Sequence, residues 1–329
     1  MSAANTRLHR RAFLALGGGT ALSLALPRLS LGAPALSGLT GRAFSTEWSV
    51  AVPDGVDIAP LRPSIEALLA GIDRQMSPWR ADSDVTRFNR APAGTLKLPS
   101  ELLHVAAAAL ALAATSAGEF DPTVGPLVSR WGFGPIEGDA ISDWQRIGFR
   151  GDALAKPADG LTLDLCGIAK GYALDRMADL VKTAGATDFL IDLGGELSAC
   201  GRHPSGRPWH VAVEDPRPGF SGAVDVLDLT GTTVATSGSR ANSYQLGRRR
   251  YSHIIDPMTR EPVDTDLLSV SVIAPDAMMA DGWATALMAA GAIKGPALAR
   301  QNQVDALFVL KDGDGLERLS TGTFGAYLA

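Results

Sequence analysis

Trp209-His210-Val211-Ala212-Val213-Glu214 opens the stretch whose pattern decides the fold class. From there to Ala274 the chain reads as successive short strands over 210–214, 224–229, 233–235, 242–246, 250–255 and 268–274, separated by Pro, Gly and Asp turns. Such an order predicts a meandering antiparallel sheet. Upstream, 44–52 has the pattern of a strand, and 61–76 places Leu61, Ile65, Leu68, Leu69 and Ile72 at helical spacing. Pro99-Ser100 opens an alanine-rich helix running to Ser116, with Gly118 as its stop. A short strand over 161–165 runs through Gly167 into a helix over 172–184, and a strand over 188–193 is closed by Gly194-Gly195. Downstream come a helix over 276–290 and a strand pair over 306–310 and 316–320. The class that follows is α+β, antiparallel and mixed sheets flanked by helices, and not a doubly wound parallel fold.

The chain has 329 residues, 46% of them hydrophobic, enough for one large domain or two closely packed ones. Residues 1–35 hold Arg7, Arg10, Arg11 and Arg28 and no acid; taking those four from 30 leaves 26 basic against 35 acidic groups, net −9. A body this acidic is poor material for gripping a phosphate backbone, so nucleic acid is set aside as a partner. Arg10-Arg11-Ala12-Phe13-Leu14 and the short apolar run behind it read as a twin-arginine export signal, cut near Ala33–Ala35. The run is too short to cross a membrane. The expected product is therefore a periplasmic domain over 36–329 that does not span the membrane and contains no internal repeat. Cys166 and Cys200 have no metal-binding spacing and are expected as two buried thiols rather than a disulfide.

Four segments could carry chemistry. In Ala280-Asp281-Gly282-Trp283-Ala284-Thr285 the four-residue spacing puts a carboxylate and a hydroxyl on one helix face, a donor pair suited to Mg²⁺, although judged alone Asp281 reads better as favouring the helix N-terminus. Leu163-Asp164-Leu165-Cys166-Gly167-Ile168-Ala169-Lys170-Gly171 ends a strand in glycines that permit close backbone approach and sets Lys170 at a helix start, where an anion is favoured. It lacks P-loop spacing. His253, in Ser252-His253-Ile254-Ile255-Asp256-Pro257, is a candidate general base or a structural histidine. Met76-Ser77-Pro78-Trp79 and Glu119-Phe120-Asp121-Pro122 mix aromatic and polar residues, as a pocket for a planar ligand or a core edge would.

Taken in order, these segments resemble the ApbE family of flavin transferases from about Gly41 to Gly291. The resemblance also takes in Asp82 to Asn89, Thr123 to Val128, Trp131-Gly132-Phe133-Gly134, Asp192-Leu193-Gly194-Gly195 and Thr236-Ser237-Gly238. It implies an ApbE-like, T-fold-related domain with a ligand cleft between two subdomains. It further implies transfer of the FMN moiety of FAD, with Mg²⁺, to a Thr or Ser hydroxyl of an acceptor protein, a membrane-associated redox protein, with release of AMP. Phosphoryl transfer of this kind asks mainly for positioning and charge neutralisation.

By that resemblance Gly167, Asp281 and Thr285 hold the metal, and His253 is the base or orients the acceptor hydroxyl. Phe44, Trp79, Glu119, Phe120, Asp121, Asp164, Lys170 and Ile255 contact the flavin nucleotide. Three positions depart from the family pattern: Phe44 replaces Met, Trp79 replaces Tyr or Asn, and Arg260 stands where Gly usually follows Asp-Pro-x-Thr. The Trp79 position bears on whether bound FAD is transferred, hydrolysed to FMN and AMP, or simply kept. The rival activities are accordingly an FAD pyrophosphatase and a non-catalytic periplasmic FAD-binding protein.

Overall fold

A computed structural model describes residues 35–138, 142–240, 242–247 and 249–329; the expected signal segment lies outside them, apart from Ala35. The first half contains β1 (Leu36–Ala43), β2 (Thr46–Pro53), α1 (Arg62–Met76), α2 (Asp84–Arg90), β3 (Gly94–Lys97), α3 (Ser100–Thr115), α4 (Gly125–Arg130), β4 (Gly148–Phe149), β5 (Ala153–Lys156) and α5 (Ala169–Thr183). Then follow β6 (Phe189–Leu193), β7 (Glu196–Cys200), β8 (Trp209–Glu214), β9 (Ala223–Leu229), β10 (Thr232–Gly238), β11 (Ser243–Leu246) and β12 (Arg249–Ser252). The chain closes with β13 (Ile255–Asp256), β14 (Glu261–Pro262), β15 (Leu267–Ala274), α6 (Ala277–Gln301), β16 (Asp305–Asp312) and β17 (Gly315–Thr321).

The main sheet has eight strands in the order β1-β2-β6-β7-β10-β15-β16-β17, and its neighbours all pair antiparallel. Strand alternation gives it two apolar faces. Ala235, Val270 and Val272 turn toward α1, α3, α5 and α6, whereas Val234 and Ile273 turn the other way. That second face is covered by the β8–β9 hairpin through Trp209, Val211, Val213, Leu227 and Leu229, with Phe324. α6 is buried nearly all round in its first half, and its small residues Ala280, Gly282, Ala284 and Ala286 let the sheet and neighbouring helices close on it. Gly291, with φ of 75° and ψ of −173°, interrupts it, so the helix expected over 276–290 ends at this break. The small β3-β5-β4 sheet lies beside α2, where Lys156 of β5 donates to the Asn89 carbonyl at 3.0 Å, and Leu154 joins it to the same core.

Four expectations change. The strands between Trp209 and Ala274 exist and pair antiparallel, but they do not form one meander: β8–β9, β11–β12 and β13–β14 are separate ribbons, and only β10 and β15 enter the main sheet. Phe44 does not begin a strand. Phe44 and Ser45, at φ of 51° and 62°, form the two-residue turn between β1 and β2, and positive φ at both positions suits the twist of a hairpin. Residues 161–165 are not a ladder strand either, because other groups take their hydrogen bonds. The Leu163 N–H donates to Asn89 Oδ1 at 2.7 Å and its carbonyl accepts from Asn89 Nδ2 at 2.9 Å; Asp164 N–H donates to the Pro122 carbonyl at 2.7 Å. Buried Lys156 donates to the Leu161 carbonyl at 3.0 Å. Cys166 and Cys200 are free thiols as expected, but Cys166 is exposed and Cys200 half-buried.

Candidate active site

Strand register gathers the site. β7 begins, β6 ends and β10 ends at the same edge of the main sheet, so the Leu193–Glu196 turn, Ser237 and the Phe44-Ser45 turn lie at one end. α5 opens at that end, with Lys170 beside Glu196, and α6 enters from the opposite end and runs antiparallel to α5, which brings Thr285 to Ser237.

Here the two halves of the proposed metal site meet across 118 residues of sequence: Thr285 Oγ1 lies 3.3 Å from the Gly167 carbonyl oxygen and 3.3 Å from Ser237 Oγ. Asp281 lies one helical turn before Thr285 on α6. It is buried, and its Oδ2 accepts the Gly171 N–H at 2.9 Å. Gly167 must lack a side chain, since a Cβ there would stand 2.9 Å from Thr285 Cγ2 and 3.0 Å from Oγ1, closer than side chains pack. The donors are a carboxylate, a hydroxyl and a backbone carbonyl, all oxygen, which suits a hard cation that keeps ligands from water or a substrate's phosphates. Among the described residues no three His, Cys, Asp or Glu side chains cluster as a softer or multi-carboxylate site would require.

A charged group lies beside this trio. Lys170 Nζ is 2.6 Å from Glu196 Oε2. Burial alone would lower Lys170, but Glu196, Asp281 and Asp192 hold it above its ordinary value. Burial pushes Glu196 up to about 8 against the opposing pull of Lys170. It likewise raises Asp281, again opposed by Lys170. Charge this concentrated around buried Glu196 and Asp281 is where a perturbed, functional set of groups is expected.

His253 follows β12. Its Nδ1 lies 3.1 Å from the Asn242 carbonyl oxygen. A carbonyl can only accept, so Nδ1 carries the proton and Nε2 is left with its lone pair. Burial, with Lys170 nearby, holds the imidazole below its ordinary value, and Phe133 packs edge-on against it. Phe133 in turn stacks on Tyr244, Tyr244 on Tyr251 and Tyr251 on Trp131.

The other expected contacts spread around this centre. Phe120 is buried and reaches Gly167: a Cβ on that glycine would sit 3.3 Å from its ring. Asp121 is tied into its own loop, accepting from Thr123 N–H at 2.7 Å and from the Ser142 hydroxyl, and burial raises it. Asp164 caps the next turn by accepting the Cys166 N–H at 3.0 Å. Glu119 pairs with Lys294 at 3.4 Å, and Ile255 is buried in β13. Phe44 packs partly buried on the core, whereas Trp79 stands 63% exposed three residues beyond α1. Sequence reasoning did not single out Glu196 or Ser237. Glu196 directly follows the Gly194-Gly195 turn and Ser237 lies in Thr236-Ser237-Gly238, so position within the motifs was the available signal.

A family scan matches residues 44–308 to the ApbE family. The FAD:protein FMN transferase of Klebsiella pneumoniae is 35% identical over 312 residues, covering 88% of this chain and 89% of that protein; the one from Salmonella typhimurium is 33% identical over 92% of each. Among solved structures, the flavin transferase ApbE from Vibrio cholerae superposes with a TM-score of 0.81 at 32% identity, covering 90% of this chain and all of that one. The apo flavinyl transferase ApbE of Pseudomonas stutzeri gives 0.80 at 36% identity, covering 91% and 98%. With the match spanning both helices of the site and the sheet beneath them, this chain belongs to the ApbE family.

Proposed function

We propose that this protein transfers the FMN moiety of FAD to a Thr or Ser hydroxyl of an acceptor protein, releasing AMP, and that it does so in the periplasm after twin-arginine export. The acceptor is a membrane-associated redox protein. The observation that carries the chemistry is the meeting of Thr285 Oγ1 with the Gly167 carbonyl at 3.3 Å, beside buried Asp281. Gly167, Asp281 and Thr285 would hold Mg²⁺, which when bound neutralises charge on the pyrophosphate of FAD. Gly171 fixes one oxygen of Asp281, leaving Oδ1 for the cation. Lys170 and the N–H groups opening α5 favour the same anion. His253 Nε2 takes the proton of the acceptor hydroxyl as its oxygen bonds to the FMN phosphorus. The bond from that phosphorus to the bridging oxygen breaks, and AMP departs with the oxygen. Phe44, Phe120 and Trp79 offer aromatic surface to the flavin nucleotide. No helix among the described residues is long and apolar enough to cross a membrane.

Incubation of the protein with FAD, Mg²⁺ and candidate acceptors, followed by mass spectrometry, tests this. FMN on the acceptor together with free AMP is the expected result. AMP and FMN without an adduct would make the protein an FAD pyrophosphatase, and bound FAD without AMP a carrier. Export is tested by fractionating cells that express the full chain and an Arg10→Lys/Arg11→Lys variant; only the wild type should reach the periplasm.

A further inference from the structure

We infer that Asp175, which no step above uses, is a positioning residue that sets the register of the cation-holding face of α6. This rests on the proposed metal site. α5 and α6 run antiparallel and are joined by a ladder with a rung every four residues along each chain. At the first rung Asp175 accepts from the start of α6, its Oδ1 from Ala277 N–H at 2.7 Å and its Oδ2 from Met278 N–H at 2.9 Å. At the second, Asp281 Oδ2 accepts the Gly171 N–H at 2.9 Å. The third is the approach of Thr285 Oγ1 to the Gly167 carbonyl.

The first turn of any helix has N–H groups without intrahelical partners, and a neighbouring residue usually caps them. Asp276 does this for Met279 N–H at 2.9 Å. The two N–H groups before it go instead to one carboxylate on another helix. A single acceptor leaves a helix free to swing, whereas a carboxylate held by two adjacent N–H groups fixes it both along and about its axis. Asp175 sits two turns, roughly 11 Å, from the Thr285 end of the ladder, too far to touch the cation. It acts by holding Asp281 and Thr285 at the height of Gly167.

The test compares Asp175→Asn, which is nearly isosteric but keeps one acceptor oxygen, with Asp276→Ala, which removes the local cap of the same helix. Mn²⁺ binding to the FAD-loaded protein is followed by electron paramagnetic resonance, FAD affinity is measured in EDTA, and circular dichroism monitors folding. Asp175→Asn should weaken Mn²⁺ binding about tenfold, in the range typical of groups that orient metal ligands, with FAD affinity changed less than about twofold. Asp276→Ala should lower the denaturation midpoint yet leave Mn²⁺ affinity near wild type. Unchanged Mn²⁺ affinity in Asp175→Asn, or equal losses in both variants, would overturn the inference. Wild-type protein that binds no Mn²⁺ with FAD would instead remove the metal site on which it rests.

Discussion

Thr285 approaches the Gly167 carbonyl so closely that there is no space for a methyl group between them: a Cβ on Gly167 would meet the Thr285 side chain at 2.9–3.0 Å. Thr285 is β-branched and sits on a helix, so its side chain is restricted to two rotamers and has little room to yield. Gly167→Ala is therefore expected to push α6 away from the loop, destabilise the protein by about 1–3 kcal/mol and raise the Mg²⁺ concentration for half-maximal turnover. Urea denaturation and a Mg²⁺ titration check this; a wild-type Mg²⁺ dependence would show that the two residues need not meet.

Asp281→Ala should abolish Mg²⁺-dependent turnover, by at least about two orders of magnitude, while leaving most of the fold intact. The variant removes a buried carboxylate that burial already disfavours in its charged form, so the loss of activity should exceed the loss of stability. Steady-state AMP release at limiting Mg²⁺ measures it, and unchanged activity there would dismiss Asp281 as a ligand.

His253→Ala should slow flavin transfer by roughly 10²–10⁴-fold with little effect on FAD affinity. Because burial holds the imidazole below its ordinary value, it stays neutral to lower pH than a free histidine. The wild-type rate should thus begin to fall only below the usual imidazole range. Equal losses in transfer and FAD binding would make His253 a binding residue.

Glu196 gives a stability signature. Its native value of about 8 lies above the ordinary 4.5, so its contribution to stability is complete below pH 4.5 and is lost as pH rises through 8. A single group of this kind contributes at most about 1.4 kcal/mol per pH unit. Glu196→Gln, which cannot ionise, should lose less stability than wild type between pH 6 and pH 9. Parallel pH–stability curves for the two proteins would refute the shift.

Arg260 occupies the left-handed region at φ of 62°, closing a turn in which Asp256 Oδ1 accepts the Met258 and Thr259 N–H groups. By the resemblance drawn from the sequence, glycine is expected at this position. An L side chain there costs about 1–2 kcal/mol, partly offset by the greater unfolded-state freedom of glycine. Arg260→Gly is expected to stabilise the protein by about 0.5–1 kcal/mol, seen as a higher Tm; a lower Tm would mean that the arginine side chain makes up for its backbone.

Where a signal is local, the sequence carried it. Helical spacing in Ile65, Leu69 and Ile72 located α1, and the four-residue interval from Asp281 to Thr285 put both on one face of α6. Gly194-Gly195 marked the turn between β6 and β7. The signal failed where a distant group replaced the expected partner. Residues 161–165 have a strand's pattern, but Asn89 and Lys156 take their backbone groups. Phe44-Ser45 turns without the Asn-Gly or Asp-Gly pair that would have announced it.

The sequence alone determined the four long helices, most of the strands after Trp209, the α+β class, and which residue types could supply oxygen ligands, a base and an anion-binding helix start, because periodicity and composition are properties of neighbouring residues. Only the tertiary structure decided that Gly167 meets Thr285, that Lys170 meets Glu196, and that Asp175 serves a helix 102 residues further along. Those pairings depend on how helices and strands stack, and a backbone carbonyl is the same in every residue, as an N–H is in every one but proline, so no side-chain pattern reveals a site that they complete.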